Sequence, residues 1–175
     1  DHGAAGTHHA GAGHDVVLYD VIPEALSKVE RNMRHDLTFL AERGLGRPED
    51  VEPALARVST TLDLDEAVAG ADFVLEAVIE DLALKQRIFR DLDKKCGPEA
   101  VLATNTSVMS PTEIAGKAQR RERILGTHWW NPPFLIPLVE VVQTEETASW
   151  VVDLTMDLLR AIGKRPVRAR KDVPG

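Results

Sequence analysis

A histidine and a glutamate carry the strongest chemical signal in this sequence. His128 ends the run RILGTH (123–128), and Glu140 interrupts a second apolar run, IPLVEVVQ (136–143). An exposed strand face could carry such a glutamate, but the residues two positions before and after it are apolar. A carboxylate in an apolar strand is costly unless it has a partner. We therefore expect adjacent strands in which Glu140 orients the His128 imidazole, a general acid–base near neutral pH.

Ser107 and Asn131 are further candidates for contact with a substrate. AVLATN (100–105) predicts a strand, so Ser107 follows its carboxyl end. The helix-capping signal SPTE begins only at Ser110, which leaves Ser107 free of a capping role, although an ordinary loop serine is the common alternative. Asn131 follows His128 by three residues in THWWNPP, where it could donate to a substrate oxygen or only stabilise the turn before the prolines.

Asp20 ends the first predicted strand, DVVLYD (15–20). A carboxylate at this place in a dinucleotide-binding fold accepts hydrogen bonds from ribose hydroxyls, and it favours NAD over NADP because it repels a 2′-phosphate. The alternative is an aspartate that only starts the turn before Pro23. The glycine-rich phosphate turn is missing or altered, because no strand precedes Gly3 and Gly11-Ala12-Gly13 lies too close to Asp20.

Short apolar strands alternate with amphipathic helices along the chain. The predicted strands are 15–20, 57–61, 71–78, 100–105, 123–128, 136–143 and 165–170. The predicted helices carry apolar stripes at Leu26, Val29, Met33, Leu37 and Leu40, at Leu84, Ile88 and Leu92, and at Val151, Leu154, Leu158 and Ile162. This alternation predicts an α/β fold with a doubly wound, mainly parallel sheet that binds ligands at the carboxyl ends of its strands.

Composition narrows the class of protein. The 175 residues suffice for one domain, and the net charge of −7 disfavours nonspecific binding to nucleic acid or acidic membranes. A single cysteine, no signal peptide and no apolar run of about 20 residues predict a cytoplasmic protein. Four histidines near the N-terminus fit no zinc spacing, so we expect terminal disorder and no metal; they are His2, His8, His9 and His14.

Five motifs in order resemble the NAD-binding domain of the 3-hydroxyacyl-CoA dehydrogenase family, from about Gly11 to the last residue. They are GHDVVLYD (13–20), EAVIEDLALK (76–85), ATNTS (103–107), GTHWWNPPFLIPLVEVV (126–142) and IGKRPVRARKDVPG (162–175). The resemblance implies a Rossmann-like domain over residues 1–175, with NAD as cofactor and a role in fatty acid metabolism. It also implies that the chain lacks the family's first strand and the family's C-terminal helical domain. In the family that helical domain forms the dimer, so the resemblance implies a homodimer.

The resemblance also implies roles for single residues. His128 matches the catalytic histidine, and Glu140 matches its partner. Ser107 and Asn131 match residues that contact the reacting oxygen and the nicotinamide side. The implied cofactor contacts are Asp20, Glu80 and Lys85, although Glu80 and Lys85 taken alone look like a solvated charged face.

Three departures from the family pattern bear on ligand binding. The position of the family's third loop glycine matches His2, whose side chain would crowd a pyrophosphate. Two positions that hold CoA in relatives match Asp36, which would repel a phosphate, and Arg43, which could meet one. HWWNPP replaces the HFFNP type and resembles relatives that act on small hydroxy acids, with Trp129 and Trp130 either walling the substrate or only packing.

Three hypotheses follow. The first is an NAD-dependent dehydrogenase that oxidises the 3-hydroxyl of a 3-hydroxyacyl-CoA to a ketone. The second is a dehydrogenase of the same family that acts on a small free hydroxy acid. The third is a non-catalytic protein or fragment with only a structural or weak nucleotide-binding role, which the altered glycine loop favours.

Overall fold

The computed structural model describes residues 2–172, with side chains from residue 5 onward. The chain forms two compact units. The first takes the residues up to Ala67 together with Trp130–Pro137 and Ala161–Gly163, and the second takes Val68–Trp129, Leu138–Arg160 and the residues from Lys164 on. The side chain of His2 and the residues after Asp172 lie outside this description.

The first unit is built on a two-stranded parallel sheet covered by helices. Its elements are α1 (His2–Gly11), β1 (Val16–Tyr19), α2 (Pro23–Leu26), α3 (Val29–Glu42), α4 (Val51–Leu55) and β2 (Val58–Thr61), followed by α5 (Leu64–Val68), which extends into the second unit. β1 pairs with β2 from Val16 opposite Val58 onward. Ala10, Met33 and Ala54 form the buried centre of this unit.

Two predictions for the first unit were wrong in detail. The stripe predicted as one helix from Pro23 is interrupted between α2 and α3. The hydroxyl of Ser27 there donates to the carbonyl oxygen of Glu24, and such side-chain bonds compete with helical ones. The expected terminal disorder is also wrong for His8 and His9, which lie in α1, and Nε2 of His8 is 3.1 Å from the carbonyl oxygen of Pro133.

The second unit contains a five-stranded sheet in sequence order. Its elements are β3 (Phe73–Glu76), α6 (Leu82–Lys95), β4 (Val101–Thr104), α7 (Pro111–Ile114), β5 (Ile124–Trp129), β6 (Leu138–Val142), α8 (Ser149–Ala161) and β7 (Arg165–Ala169). The strands are parallel except for the antiparallel pair β5 and β6. All four residues of β4 are buried, as expected for a central parallel strand. The prediction of a Rossmann-like α/β fold with a mainly parallel sheet is confirmed.

The start of α7 in this unit follows its sequence signal. The side chain of Ser110 accepts a hydrogen bond from the backbone N–H of Glu113, which confirms Ser110 as the cap of α7. Gly126 lets α7 approach β5, because an added Cβ there would lie only 2.9 Å from Cγ of Pro111.

In α8 the expected apolar stripe was partly wrong: Leu154 is 43% exposed, and the helix instead buries Val152 beside Val151. Within residues 2–172, no helix is both long enough and apolar enough to cross a membrane.

Candidate active site

His128 and Glu140 face each other across the antiparallel pair β5 and β6. The register places the two residues directly opposite, and Nδ1 of His128 lies 2.8 Å from Oε2 of Glu140. The expected pairing of adjacent strands is confirmed. The expectation of a buried glutamate was wrong, because the Glu140 side chain is 40% exposed, while its strand neighbours Val139 and Val141 are fully buried on the opposite face.

Ser107 lies on the other side of the imidazole. Its Oγ is 3.2 Å from Nε2 of His128. With Nδ1 facing a carboxylate, the neutral ring holds its proton on Nδ1 and donates it to Glu140, so Nε2 is left as an acceptor for the Ser107 hydroxyl. Glu140, His128 and Ser107 therefore form a chain that ends in a basic nitrogen and a hydroxyl, which can exchange a proton with a ligand.

The segment that follows β4 places Ser107 at this position. Oδ1 of Asn105 accepts a hydrogen bond of 3.0 Å from the backbone N–H of Trp129, which ties the end of β4 to the end of β5. Thr106 is buried, and its hydroxyl donates to the Glu80 carboxylate, which also accepts the backbone N–H of Ser107 at 2.8 Å. Asn105 and Thr106 were not recognised as site residues from the sequence, although both belong to the motif ATNTS.

Glu80 and Lys85 are not a solvated charged face. Lys85 is fully buried, and its Nζ donates to Oε1 of Glu76 at 2.8 Å. Glu80, with 35% of its side chain exposed, lies 3.6 Å from the same ammonium. The hydroxyl of Thr104 donates to the other oxygen of Glu76 at 2.7 Å. These residues form a polar cluster at the carboxyl ends of β3 and β4, in which Glu76, Lys85 and Thr104 are buried and Glu80 reaches the surface.

A cavity of about 140 Å³ opens beside the imidazole. Its lining comprises Thr106, Ser107, Met109, Pro111, Gly126, His128, Glu140, Val142 and Asp172. Because small-molecule sites usually measure about 300 Å³ or more, this volume accommodates the reacting end of a substrate. Asp172, which sequence reasoning missed, accepts hydrogen bonds from the Ser110 hydroxyl at 2.6 Å and from the Thr112 N–H at 2.7 Å, and so holds the chain against α7.

Four residues with ligand roles expected from the sequence lie in the first unit. Asp20 follows β1, and its Oδ1 accepts the backbone N–H of Ile22 at 2.9 Å, so the turn expected as the alternative role is present. Arg43 stacks its guanidinium 3.5 Å from the centre of the Phe39 ring. The Asp36 side chain is 12% exposed, and its Oδ1 lies 3.3 Å from Nδ1 of His35. Asn131 is exposed in the segment Trp130–Pro137.

The two tryptophans have different surroundings. Trp129 is 4% exposed and lies outside the cavity lining, and Nζ of Lys164 is 5.3 Å from its ring centre. Neighbouring residues of a strand point to opposite faces, so Trp129 packs on the face away from His128. Trp130 is 44% exposed in the first unit. Of the two roles considered, packing therefore fits Trp129. Burial lowers the pKa of Lys164 to about 8.

Replacing Lys164 by Met is expected to raise the free energy of unfolding at pH 7, by up to about 3 kcal/mol. Below pH 8 the lysine is charged in both the folded and the unfolded state, so the destabilisation that its lowered pKa reflects is fully present there. As pH rises from about 8 towards 10.5, the folded state loses the proton first and the advantage of the variant fades. Urea unfolding of the wild type and the variant between pH 6 and 10 measures the difference in their free energies of unfolding. Lys117→Met, at an exposed lysine, serves as the control. A difference that stays constant over this pH range would contradict the prediction.

The fold and the polar cluster at its strand ends define an α/β domain of the dinucleotide-binding class. The family described as 3-hydroxyacyl-CoA dehydrogenase, NAD binding domain, matches residues 3–173. The chain belongs to this family.

Named relatives agree with this assignment. The chain is 37% identical over 166 residues to 5-formyl-3-hydroxy-2-methylpyridine 4-carboxylate 5-dehydrogenase of Mesorhizobium japonicum, covering 95% of this chain and 53% of that protein. It is 34% identical over 171 residues to the mitochondrial hydroxyacyl-coenzyme A dehydrogenase of Sus scrofa, covering 95% and 54%. The crystal structure of 3-hydroxybutyryl-CoA dehydrogenase from Escherichia coli K12 superposes with a TM-score of 0.89 at 37% identity, covering 95% of this chain and 35% of that one. The chain thus spans about half the length of the first two relatives.

Proposed function

We propose that the protein is an NAD-dependent dehydrogenase that oxidises the 3-hydroxyl of a 3-hydroxyacyl-CoA to a ketone. The observation that carries this proposal is the chain formed by Glu140, His128 and Ser107, with 2.8 Å and 3.2 Å between successive polar atoms. Alcohol oxidation requires removal of the hydroxyl proton and of a hydride. An imidazole nitrogen that lies beside a hydroxyl, on a ring that a carboxylate orients, is suited to removing the proton.

In this proposal Nε2 of His128 takes the proton from the substrate hydroxyl. Ser107 lies 3.2 Å from that nitrogen, so a substrate oxygen bound beside His128 is within reach of the Ser107 hydroxyl as well. Glu140 stabilises the imidazolium that forms and keeps the ring oriented. Bound NAD supplies the hydride acceptor. The cavity beside the imidazole has room for the reacting carbons, and the rest of the substrate extends beyond it.

Asp20 supports NAD as the cofactor. It follows the carboxyl end of β1, and only one of its carboxylate oxygens is used by the N–H of Ile22, so the carboxylate retains acceptor capacity for ribose hydroxyls. We propose Glu80 and Asn131 as further contacts of the cofactor. Lys85 contributes through Glu80, because its own side chain has no exposed surface.

NADH is expected to bind more tightly than NADPH, because Asp20 repels a 2′-phosphate. Calorimetric titration of both dinucleotides measures the preference. Asp20→Asn should narrow the difference, and Asp15→Asn, which changes an exposed aspartate at the amino end of β1, serves as the matched control. Tighter binding of NADPH would refute this role of Asp20, and the absence of binding by either dinucleotide would favour the non-catalytic hypothesis.

The second candidate is a dehydrogenase of the same family that acts on a small free hydroxy acid. HWWNPP favours it, as does the Mesorhizobium japonicum relative, whose name specifies a pyridine carboxylate and no CoA ester. Arg43 could meet either a CoA phosphate or a free carboxylate. Comparing kcat/KM for 3-hydroxybutyryl-CoA with values for a panel of free hydroxy acids separates the two. A preference of tenfold or more for the CoA ester would support the first proposal, and the reverse would support the second.

We also propose that the protein is a cytoplasmic homodimer. The single cysteine, Cys96, is buried at 4% exposure, which suits a reducing compartment. The dimer rests on the family resemblance alone. Light scattering on the full-length protein tests it, because a monomeric mass would contradict it.

A further inference from the structure

Glu76 is a charged residue that the proposed chemistry does not use. It is the last residue of β3, and only 2% of its side chain is exposed. Its carboxylate accepts three hydrogen bonds from three different parts of the fold: Lys85 Nζ of α6 at 2.8 Å, the Val78 N–H after β3 at 2.6 Å, and the Thr104 hydroxyl of β4 at 2.7 Å. Because each donor comes from a separate segment, the carboxylate has little freedom to move.

Lys85 links the fixed carboxylate of Glu76 to Glu80. It is fully buried, and two of its three N–H groups are occupied by Glu76 and by the carbonyl oxygen of Val78 at 3.2 Å. The ammonium also lies 3.6 Å from Oε2 of Glu80. A buried ammonium attracts a nearby carboxylate strongly, since little water lies between them. The position of Glu80 therefore depends on Lys85.

Glu80 in turn holds the segment that carries Ser107. Its carboxylate accepts the hydroxyl of Thr106 at 2.9 Å and the backbone N–H of Ser107 at 2.8 Å. Ser107 then reaches Nε2 of His128 at 3.2 Å. These contacts are in series, so a displacement of Glu80 moves the Ser107 backbone and changes its distance from the imidazole.

We propose that Glu76 positions Ser107 against His128 through the buried ion pair with Lys85 and the carboxylate of Glu80. Neither Glu76 nor Lys85 lines the cavity, so both act through other residues. The competing explanation is that the pair only packs α6 against the sheet. The proposal rests on the proposed function where turnover is the readout, but the position of the Ser107 backbone can be measured without turnover.

The double variant Glu76→Gln/Lys85→Met separates the two explanations. It removes both charges and keeps the side-chain volumes, and replacing a buried ion pair in this way is often neutral for stability. We expect a melting temperature near that of the wild type, a kcat lower by roughly 10- to 100-fold with little change in KM for the hydroxyacyl-CoA, and faster hydrogen exchange at the Ser107 amide. The single variants Glu76→Gln and Lys85→Met should be less stable, because each leaves one buried charge unpaired.

A matched control breaks another buried ion pair near the opposite end of α6. Asp93 pairs with the fully buried Arg123 at 2.9 Å, so Asp93→Asn should lower the melting temperature and leave both kcat and the Ser107 amide of the folded protein unchanged. A double variant with wild-type kcat and wild-type exchange at Ser107 would overturn the proposal. If wild-type protein shows no turnover, the proposed function fails, and exchange at the Ser107 amide still decides the positioning role.

Glu80→Ala tests the last link if the double variant does not fold. It removes the acceptor of the Ser107 N–H from a partly exposed side chain and introduces no buried charge. We expect the same faster exchange at Ser107 and a fall in kcat of similar size. Unchanged exchange in this variant would overturn the proposal as well.

Discussion

His128→Gln is expected to lower the turnover of the full-length protein by about two to four orders of magnitude. Glutamine keeps the polar character and comparable size of the side chain, but it cannot accept a proton at neutral pH. The carboxylate of Glu140, 2.8 Å from the imidazole in the wild type, then no longer has an imidazolium to stabilise. Because His128 is partly exposed at the carboxyl end of β5, its replacement should cost little stability.

The readouts for this variant separate chemistry from binding. NADH affinity and the melting temperature should stay close to the wild-type values, so that the loss appears in kcat. His14→Gln, which changes an exposed histidine that has no role in the proposed chemistry, serves as the matched control and should retain wild-type turnover. Unchanged turnover of His128→Gln would rule out the assignment of His128 as the general base, whatever the substrate.

The His128–Glu140 pair could be predicted because strand periodicity fixes which side chains share a face. A lone carboxylate between apolar residues needs a partner, and the preceding strand of the chain offered a histidine at its end. The exposure of Glu140 could not be predicted in this way. Periodicity shows which side chains share a face of the strand. Whether a face is exposed depends on the elements that cover it, and these come from distant parts of the chain.

The buried cluster around Lys85 shows the same limit more clearly. Glu76 stands in ADFVLEAV as Glu140 stands in its own strand, so the reasoning applied to Glu140 would also have found Glu76. Its partner was harder to find, because Lys85 lies nine residues later beyond a turn and in the first part of a helix whose charges look solvated. Which face of that helix meets the sheet depends on the path of the turn.

Asp93 and Arg123 were not recognised from the sequence at all. They are 30 residues apart and lie near the ends of elements, where charged residues are usually exposed. In the structure both are buried, with 4% of the Asp93 side chain and none of the Arg123 side chain exposed. The Arg123 guanidinium also donates to the carbonyl oxygen of Ala100, so it ties α6 to the residue just before β4. Only the tertiary structure reveals this pair. Because breaking a buried ion pair costs much stability, a substitution in the pair tests whether it is buried as the structure indicates.

Asp93→Asn is expected to lower the free energy of unfolding at pH 7 by about 3–5 kcal/mol, the usual cost of leaving a buried charge without its partner. Arg123 would keep its carbonyl contacts but lose its counter-charge. Burial by itself would raise the pKa of the Asp93 carboxyl, but the backbone N–H of Gln119 and the guanidinium of Arg123 outweigh it, so that the pKa is lowered below its ordinary value of 3.8.

The sign of the pH dependence follows from this lowered pKa. The stabilisation by the Asp93 carboxylate is fully present above the unfolded-state pKa and is lost as pH falls through the lower folded-state value. Urea unfolding at pH 7 and at about pH 3 should therefore show a smaller difference between wild type and Asp93→Asn in acid. The double variant Asp93→Asn/Arg123→Met should recover much of the stability, because it removes the unpaired charge. A loss below about 1 kcal/mol at pH 7 would show that the pair is not desolvated as the structure indicates.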